Sequence, residues 1–294
     1  MIMVSLKGGL GNQMFQYAAG RRLSCLHNVP LKLDLSWFRE DLTGVTPRSY
    51  ALDHFSINAE PATMQEISRL YEPHAGRVKR FLNFMNPIHR KTCIYGKHFH
   101  FDSSILELPD NICLDGYWQS EKYFQDIAAV IRSDFTLSVN SDVRNQEVVS
   151  MINECNSVSI HIRRGDYIND KKTAAKYMAC SNDYYLMAMD IMSTRAECPH
   201  FFVFTDDSAW VREHFEISHS MTLVGNNGPD KAYEDLRLMS LCTHHIIANS
   251  SFSWWGAWLN HRLDKIVIAP SRWFNDPKID TSDLMPASWL RIDP

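Results

Sequence analysis

Two adjacent arginines, Arg163 and Arg164, directly follow residues 157–162, which predict a buried strand. A guanidinium group at the end of such a strand needs an anion or an acidic partner, and its planar fork matches the oxygens of a phosphate. Gly165 favours a turn at this point, and Asp166 can hold one guanidinium in place. The motif therefore predicts a phosphate site, with an internal arginine–aspartate salt bridge as the structural alternative.

A glycine-rich turn from Gly8 to Gly11 separates a short apolar run from a helical pattern. Such a turn lets the backbone N–H groups of a helix N-terminus approach an anion or a sugar closely. Gly9 and Gly11, with Asp34 near the end of the next predicted strand, also match part of a dinucleotide fingerprint. Met14 stands at the third glycine position, which disfavours NAD binding. The segment predicts a ligand-binding turn, and a tight turn without a ligand is the alternative.

A serine-rich turn predicts a second phosphate-binding element. Asn249, Ser250 and Ser251 follow a predicted strand and precede a helix rich in tryptophan. Hydroxyl and backbone N–H groups at the start of a helix bind phosphate, because the helix dipole adds to their hydrogen bonds. We expect the tryptophans of this helix to lie mostly in the core.

An acidic pair, Asp206 and Asp207, ends a further predicted strand. Carboxylates at this position can accept hydrogen bonds from a ribose or from a base edge. Aspartate is also a preferred N-cap residue, and a helical pattern follows the pair. Nucleoside binding and helix capping both fit the sequence.

The sequence contains no pattern typical of a metal site. It has no Asp-x-Asp and no His-Glu-x-x-His, and its paired histidines (98 and 100, 244 and 245) lack partners at metal-ligand spacing. We therefore expect no metal. The charge of a bound diphosphate would be neutralised by the arginine pair and by the dipole of the helix after the serine-rich turn.

Alternating strands and helices position these motifs. The opening reads as a strand at 2–6, a helix at 13–26 and a strand at 31–35. A further helix is predicted from about residue 120 to about residue 133, and five further strands alternate with helices after residue 157. This rhythm predicts an α/β fold with parallel sheets. Ligands of such sheets bind beyond the carboxyl ends of the strands, where the four motifs lie. Residues 138–150 are polar, and they predict two domains, at 1–148 and 149–294.

Composition excludes several classes of function. The 294 residues carry a net charge of −4, with 16 basic and 16 acidic groups in residues 1–150 and 14 and 18 in the remainder. Neither half has the basic excess of a nucleic-acid-binding protein. Seven scattered cysteines without a C-x-x-C pair indicate free thiols in a reducing compartment. No apolar run approaches the roughly 18 residues of a membrane span, so we expect a cytoplasmic protein without a transmembrane segment.

Four blocks of sequence, taken in order, closely resemble the α-1,2-fucosyltransferase family, including its bacterial members. They are residues 8–18, 161–167, 204–207 and 248–258. The segment 116–124 also resembles that family, so the similarity extends from residue 7 to about residue 260. The arginine and tryptophan blocks together are highly specific.

The resemblance implies a GT-B-like fold, in which two Rossmann-like domains face each other across a cleft. The N-terminal domain would lie on the acceptor side, and the C-terminal domain would bind the GDP-sugar. It implies an inverting, metal-independent transfer of L-fucose from GDP-β-L-fucose to the 2-hydroxyl of a terminal β-galactoside in a glycan. GDP-fucose is a substrate, so no cofactor is expected. By family analogy, the product would belong to a surface polysaccharide or O-antigen.

The resemblance also implies roles for particular residues. Arg163 would meet the charge that grows on the β-phosphate, with Arg164 as the alternative for that contact. Arg164 and Asp166 would hold the loop. The implied donor-binding residues are Gly11, Asn12, His161, Arg163, Arg164, Asp206, Asn249, Ser250, Ser251 and Phe252. The implied catalytic residues are Asn12, Arg163, Asp166, Asp115 and Glu121, of which Asp115, Glu121 and Asp166 are candidates for the general base.

A basic segment without acidic residues lies between Glu72 and Asp102. Its six cationic side chains are Arg77, Lys79, Arg80, Arg90, Lys91 and Lys97. A solvated helical face has such a composition. The alternative is peripheral contact with the inner face of the cell membrane or with a lipid-diphosphate-linked acceptor.

Two other functions compete with the transferase. The first is a non-catalytic sugar-nucleotide or glycan-binding protein on the same scaffold, and the second is an NAD-dependent oxidoreductase. The complete set of polar residues at the strand ends argues against a decayed site. We therefore favour the transferase.

Overall fold

The computed structural model describes residues 1–40, 47–70, 92–96, 98–165, 170–215 and 219–294. The chain divides into two compact units. Unit 1 comprises Met1–Ser138 and Ser282–Leu284, and unit 2 comprises Val139–Thr281 and Met285–Pro294. The division falls about ten residues before the predicted boundary at 148, because the helix Val143–Asn153 packs against the helix Ala232–Leu241 of unit 2.

Unit 1 is built on a five-stranded parallel sheet. The strands are β1 (Ile2–Ser5), β2 (Leu31–Asp34), β3 (Glu60–Pro61), β4 (Cys93–Tyr95) and β5 (Ile112–Asp115). The helices are α1 (Leu10–His27), α2 (Met64–Leu70) and α3 (Ala128–Asp134). The predicted strand–helix–strand opening is confirmed, whereas the helix predicted from residue 120 is replaced by 3₁₀ turns at Glu121–Tyr123 and Gln125–Ile127 before α3.

The order of strands in unit 1 is β3-β2-β1-β5-β4. The chain therefore moves from β1 to one side of the sheet and later returns to place β5 on the other side. Such a reversal opens a crevice at the carboxyl ends of the two central strands. In unit 1 those ends lead into Lys7 and Gly116.

The short segment Ser282–Leu284 belongs to unit 1 although its neighbours in sequence belong to unit 2. The Asp283 carboxylate accepts hydrogen bonds from the Lys122 ammonium and from the backbone N–H of Phe101 at 2.9 Å. Ser120 donates to the Asp283 carbonyl oxygen at 2.6 Å. The sequence prediction missed this return, because three residues carry no periodic signal.

Unit 2 contains a six-stranded parallel sheet. The strands are β6 (Asn156–Ile162), β7 (Pro199–Thr205), β8 (Met221–Val224), β9 (His244–Ile246), β10 (Val267–Pro270) and β11 (Leu290–Ile292). The helices are α4 (Val143–Asn153), α5 (Lys171–Lys176), α6 (Asn182–Arg195), α7 (Ser208–His214), α8 (Ala232–Leu241) and α9 (Ser251–Leu259). Five of these strands were predicted, and the sixth, β11, was missed because it is short and only half-buried.

The order β11-β10-β9-β6-β7-β8 reverses between β6 and β9. The central strands β6, β7 and β9 are mostly buried, as expected where helices cover both faces of a doubly wound sheet. In β7, for example, Phe201, Phe202, Val203 and Phe204 are all buried. The expectation that the tryptophans of α9 lie in the core is confirmed for Trp254, Trp255 and Trp258.

No helix in the described part of the chain is long and apolar enough to cross a membrane. All seven cysteines are free thiols. The six cationic side chains between Glu72 and Asp102 lie outside the described residues, so the membrane-contact hypothesis stays a prediction.

Candidate functional site

The predicted donor-binding residues of unit 2 follow three neighbouring strands. β6 lies between β7 and β9, and its residues His161 and Ile162 pair with Phe204 and Thr205 of β7. The loops that begin at Arg163, Asp206 and Asn249 consequently emerge at the same edge of the sheet. This edge includes the reversal between β6 and β9, where ligands of doubly wound sheets bind.

The Asp206 carboxylate organises the arginine loop. Its Oδ2 atom lies 2.8 Å from Nη1 of Arg163, and its Oδ1 atom accepts the backbone N–H groups of Arg164 and Gly165 at 2.9 and 3.1 Å. A Cβ atom on Gly165 would lie only 2.8 Å from Asp206 Oδ2, so a larger residue there would displace this carboxylate. The internal arginine–aspartate salt bridge weighed as an alternative is therefore present, and Asp206 holds the loop.

Asp166 lies outside the described residues, so its role stays a prediction. Asp206 was predicted to bind the nucleoside. Both of its carboxylate oxygens contact the arginine loop, and the nucleoside contact stays a prediction.

Arg164 is fixed by a different set of contacts. Its guanidinium carbon lies 3.8 Å from the centre of the Trp210 ring, and its Nε atom lies 3.5 Å from Asp207 Oδ2. Asp207 in turn caps α7, since its side chain accepts the backbone N–H of Trp210 at 3.0 Å. The capping interpretation of Asp207 is confirmed. Stacking on an indole face stabilises a guanidinium by about 0.5–2 kcal/mol, so Trp210 is a positioning residue for Arg164.

His161 is buried beside this loop. Burial, and secondarily the positive charge of Arg163, lowers the pKa of its imidazole to about 4, while the Asp206 carboxylate opposes the shift. The ring is therefore neutral at pH 7. Its Nδ1 atom is buried and has no hydrogen-bond partner among the described residues, and the ring lies 5.5 Å from that of Phe252. A buried polar atom without a partner commonly marks a site for a ligand or an ordered water.

The serine-rich turn forms the start of α9. Ser250 is the N-cap residue, and its hydroxyl accepts the backbone N–H of Phe252 at 3.3 Å. Asn249 is buried, and its amide donates to the carbonyl oxygens of Met178 and, at 3.0 Å, of Trp273. Its side chain therefore positions the turn, and the donor contact predicted for it stays a prediction. Ser250 and Ser251 are half-buried at the positive end of the helix dipole.

In unit 1, the glycine turn precedes α1. Gly8 has a φ of +79°, and Gly9 is the N-cap residue of the helix. The turn is fixed by the buried Gln13, which donates to the Gly8 carbonyl oxygen at 2.9 Å. Asn12 accepts a hydrogen bond from the Gln119 amide at 2.8 Å. Gly11 is buried within the first turn of α1.

The two described candidates for the general base have different surroundings. Asp115 ends β5 and accepts a hydrogen bond from the Lys7 ammonium at 2.5 Å. Glu121 begins a 3₁₀ turn. Burial lowers the pKa of the Arg132 guanidinium, and the negative charge of Glu121 opposes that shift. Asp115 is thus at a strand end, beside the glycine turn, whereas Glu121 is further along the loop.

The sequence did not indicate Lys7, Tyr117 or Trp210 as site residues. The Lys7 ammonium lies 5.5 Å from the centre of the Tyr117 ring. Lys7 pairs with an aspartate 108 positions away, and no local pattern indicates such a contact. Trp210 stands three residues after Asp207 in α7, where an aromatic residue is more often part of the core. Among the described residues, no group of three His, Cys, Asp or Glu side chains is placed to hold a metal ion.

The chain is similar in sequence to known glycosyltransferases. A model of glycosyl transferase family 11 matches residues 88–293. The chain is 33% identical to an α-1,2-colitosyltransferase of Escherichia coli, over 100% of this chain and 99% of the relative. It is 30% identical to the O-antigen biosynthesis glycosyltransferase WbnK of E. coli, over 98% and 99%. It is also 29% identical to galactoside α-(1,2)-fucosyltransferase 1 of Leontocebus fuscicollis, over 50% of this chain and 42% of that protein.

Two solved structures resemble the fold. NodZ α-1,6-fucosyltransferase soaked with GDP-fucose gives a TM-score of 0.50 with 14% identity, over 88% of this chain and 92% of that one. FUT1 of Arabidopsis thaliana in complex with GDP gives 0.52 with 12% identity, over 90% and 69%. These similarities, with the two parallel-sheet units, confirm the predicted GT-B-type α/β fold.

Proposed function

We propose that this chain, which belongs to glycosyl transferase family 11, is a galactoside α-1,2-fucosyltransferase. It transfers L-fucose from GDP-β-L-fucose to the 2-hydroxyl of a terminal β-galactoside, with inversion at the anomeric carbon. The observation that carries the donor half of this proposal is the arginine loop of unit 2, held by Asp206 at the reversal of the sheet. The acceptor half is supported by the α-1,2 transferases among the relatives.

Arg163 is the residue that meets the diphosphate. A guanidinium group carries its N–H donors in a planar fork, so a carboxylate can orient it while it also donates to a phosphate. Arg164, by contrast, stacks on Trp210 at 3.8 Å, and we assign it the shaping of the loop. Negative charge grows on the β-phosphate as GDP leaves, and a preorganised donor aimed at that charge lowers the barrier.

The N-terminus of α9 assists with the same charge. Ser250 and Ser251 open this nine-residue helix, and the positive end of its dipole favours an anion. His161, which is neutral and whose buried Nδ1 atom has no partner among the described residues, supplies a hydrogen bond to the nucleotide. We propose that these groups make the transfer independent of a metal ion and of any cofactor.

The biological setting is also a proposal. A galactose-terminated glycan of a surface polysaccharide is the acceptor, which agrees with the O-antigen biosynthesis named for WbnK. We place the enzyme in the cytoplasm, at the inner face of the membrane where the acceptor is assembled. The balanced charge of both halves supports a protein without a nucleic-acid partner.

A turnover assay with GDP-fucose and a β-galactoside in EDTA tests the proposal. We expect transfer by the parent enzyme and a loss of about 10²–10³-fold in kcat for Arg163→Ala, because an oxyanion-stabilising donor is removed. The matched control is Arg262→Ala, since Arg262 pairs with Asp264 at an exposed site of the same unit. This control should stay within about twofold of the parent.

Other outcomes would contradict specific parts. GDP binding without transfer to any galactoside would contradict the proposed galactoside acceptor. Absence of GDP binding would contradict the proposed GDP-fucose donor. Transfer that EDTA abolishes and added Mg²⁺ or Mn²⁺ restores would contradict metal independence.

A colitosyl donor is the second candidate, because the chain is similar to an α-1,2-colitosyltransferase over its full length. Competition between GDP-fucose and GDP-colitose in one reaction decides between them. A site that hydrogen-bonds every hydroxyl of fucose rejects a donor that lacks one. A higher kcat/KM for GDP-colitose would replace fucose with colitose in the proposal and leave the arginine mechanism intact.

A further inference from the structure

We infer that Lys7, Asp115 and Tyr117 of unit 1 bind the acceptor sugar and that the Asp115 carboxylate receives the proton of the attacking hydroxyl, an inference that rests on the proposed function. Lys7 follows β1 and Asp115 ends β5, the two strands between which the order of the sheet reverses. The Lys7 ammonium donates to Asp115 Oδ1 at 2.5 Å and lies 5.5 Å from the centre of the Tyr117 ring. The cluster therefore occupies the place where ligands of doubly wound sheets bind.

The chemistry of this cluster fits a neutral sugar. An ammonium group supplies N–H donors and a carboxylate supplies acceptors, so the pair satisfies both hydrogen-bonding roles of a hydroxyl. The aromatic ring beside them offers an apolar face for the C–H groups of a pyranose. The pair has no net charge, and aromatic surface combined with a few polar groups is typical of small-molecule sites.

The pair is shielded from water without being closed off. The Lys7 side chain is 26% exposed and the Asp115 side chain 11%. A hydroxyl that reaches it would replace water in a site of reduced dielectric, where hydrogen bonds to charged groups are stronger.

The loop after β5 is held in a conformation that costs energy. Trp118 has a φ of 51°, which a bulky residue seldom adopts. A Cβ atom on Gly116 would lie 2.7 Å from the Cα atom of Gly96, so this approach requires glycine. The Gln119 amide ties the loop to Asn12 of the glycine turn. Backbone strain of this type is concentrated at ligand sites, and here it fixes the position of Tyr117 beside the ion pair.

In the transfer, the acceptor hydroxyl oxygen bonds to the anomeric carbon of the donor sugar as the bond from that carbon to the β-phosphate oxygen breaks. The electron pair of the broken bond leaves with GDP. The hydroxyl proton passes to Asp115, while Lys7 holds the carboxylate and donates to the sugar. Asp115 is preferred to Glu121 because it lies at the strand end, beside the glycine turn.

Kinetics of three variants test the inference. Asp115→Asn should lower kcat by about 10²-fold, because it removes a general base without changing the size of the side chain. Lys7→Met should raise KM for the galactoside by about tenfold and leave KM for the donor unchanged. The matched control is Lys32→Met. In the parent, the Lys32 ammonium of β2 pairs with Glu60 of β3 at 2.8 Å on the same sheet. Lys7→Arg, which keeps the cation, should recover most of the affinity for the galactoside.

Equal kinetics of the Lys7, Asp115 and Lys32 variants would overturn the inference and leave a structural ion pair. Calorimetric GDP binding and thermal unfolding establish that each variant is folded. If Lys7→Met unfolds, Asp115→Asn and Lys7→Arg carry the test. If the parent transfers no sugar, the proposed function is wrong, and saturation-transfer NMR of galactoside binding then tests the sugar site of unit 1 by itself. Binding lost in Lys7→Met supports the inference, whereas binding unchanged in that variant, or absent from the parent, overturns it.

Discussion

Each unit has one place where the order of its strands reverses, and the residues that follow the strands there differ in kind. In unit 1 the reversal carries one lysine–aspartate pair beside a tyrosine ring. In unit 2 it carries an arginine loop, a buried neutral histidine and the start of a helix. The same topology thus presents polar groups suited to a neutral sugar in one unit and groups suited to a diphosphate in the other.

The difference also concerns what holds the charged groups. The Lys7 ammonium of unit 1 is held by the Asp115 carboxylate. In unit 2, the Asp206 carboxylate contacts the Arg163 guanidinium and also accepts two backbone N–H groups. Arg164 is fixed separately by Trp210 and Asp207. A site that must meet growing negative charge benefits from such preorganisation, since the donors need not reorient during the reaction.

The largest expected effect breaks this preorganisation in unit 2. Asp206→Asn should reduce kcat/KM for the donor by about 10²-fold, because it removes the charge that orients Arg163. The double variant Arg163→Ala/Asp206→Asn should be little worse than Arg163→Ala alone, since both residues act as one unit. Steady-state kinetics of the four proteins measures this coupling. Losses that simply multiply would show that the two residues act independently, and Asp264→Asn serves as the exposed control.

The next effect concerns the buried histidine, which distinguishes unit 2 from the ion pair of unit 1. The pKa of His161 is about 4 in the folded protein, below its ordinary value of 6.5. The unfolded chain therefore binds a proton at this residue between pH 6.5 and pH 4, and the folded protein does not. Stability is lost as pH falls through this range, by about 3 kcal/mol in total for this group.

Urea unfolding of the parent and of His161→Gln at several pH values between 7 and 4 measures that loss. The parent should lose about 3 kcal/mol more than the variant over this range. His245 is also buried, and burial lowers its pKa as well, but it is present in both proteins and cancels in the difference. Parallel curves for the two proteins would contradict a neutral, buried His161.

The sequence predicted the places of chemistry better than the contacts that organise them. Residues 157–162 and the arginines after them predicted a strand that ends in a polar motif, and parallel pairing of β6 with β7 confirms the strand. Capping of α7 by Asp207 was also predictable, because it depends on neighbouring residues only. These features depend on local sequence and on the regular spacing of apolar side chains.

Contacts across large separations were not predictable. The contacts of Asp206 with the arginine loop join residues 41 to 43 positions apart, and the contact of Lys7 with Asp115 joins residues 108 positions apart. Both depend on which strands are neighbours, and strand order is not encoded in the period of either strand. The 3₁₀ turns between residues 121 and 127 were missed because their apolar spacing also fits one continuous helix.

The smallest expected effect tests the glycine turn of unit 1. Gly8 has a left-handed φ of +79°, and a Cβ atom there would lie 2.7 Å from Nδ2 of Asn12. Gly8→Ala should therefore lower the free energy of unfolding by about 1–2 kcal/mol, the cost of placing an L-residue in that conformation. Gly9→Ala is the matched control, because no atom lies within 4 Å of a Cβ atom at that position. Urea denaturation compares the two adjacent substitutions. Equal losses would show that the turn adapts to a side chain, whereas a loss confined to Gly8→Ala would show that its backbone is fixed by Asn12 and Gln13, as unit 1 requires if it orients a sugar.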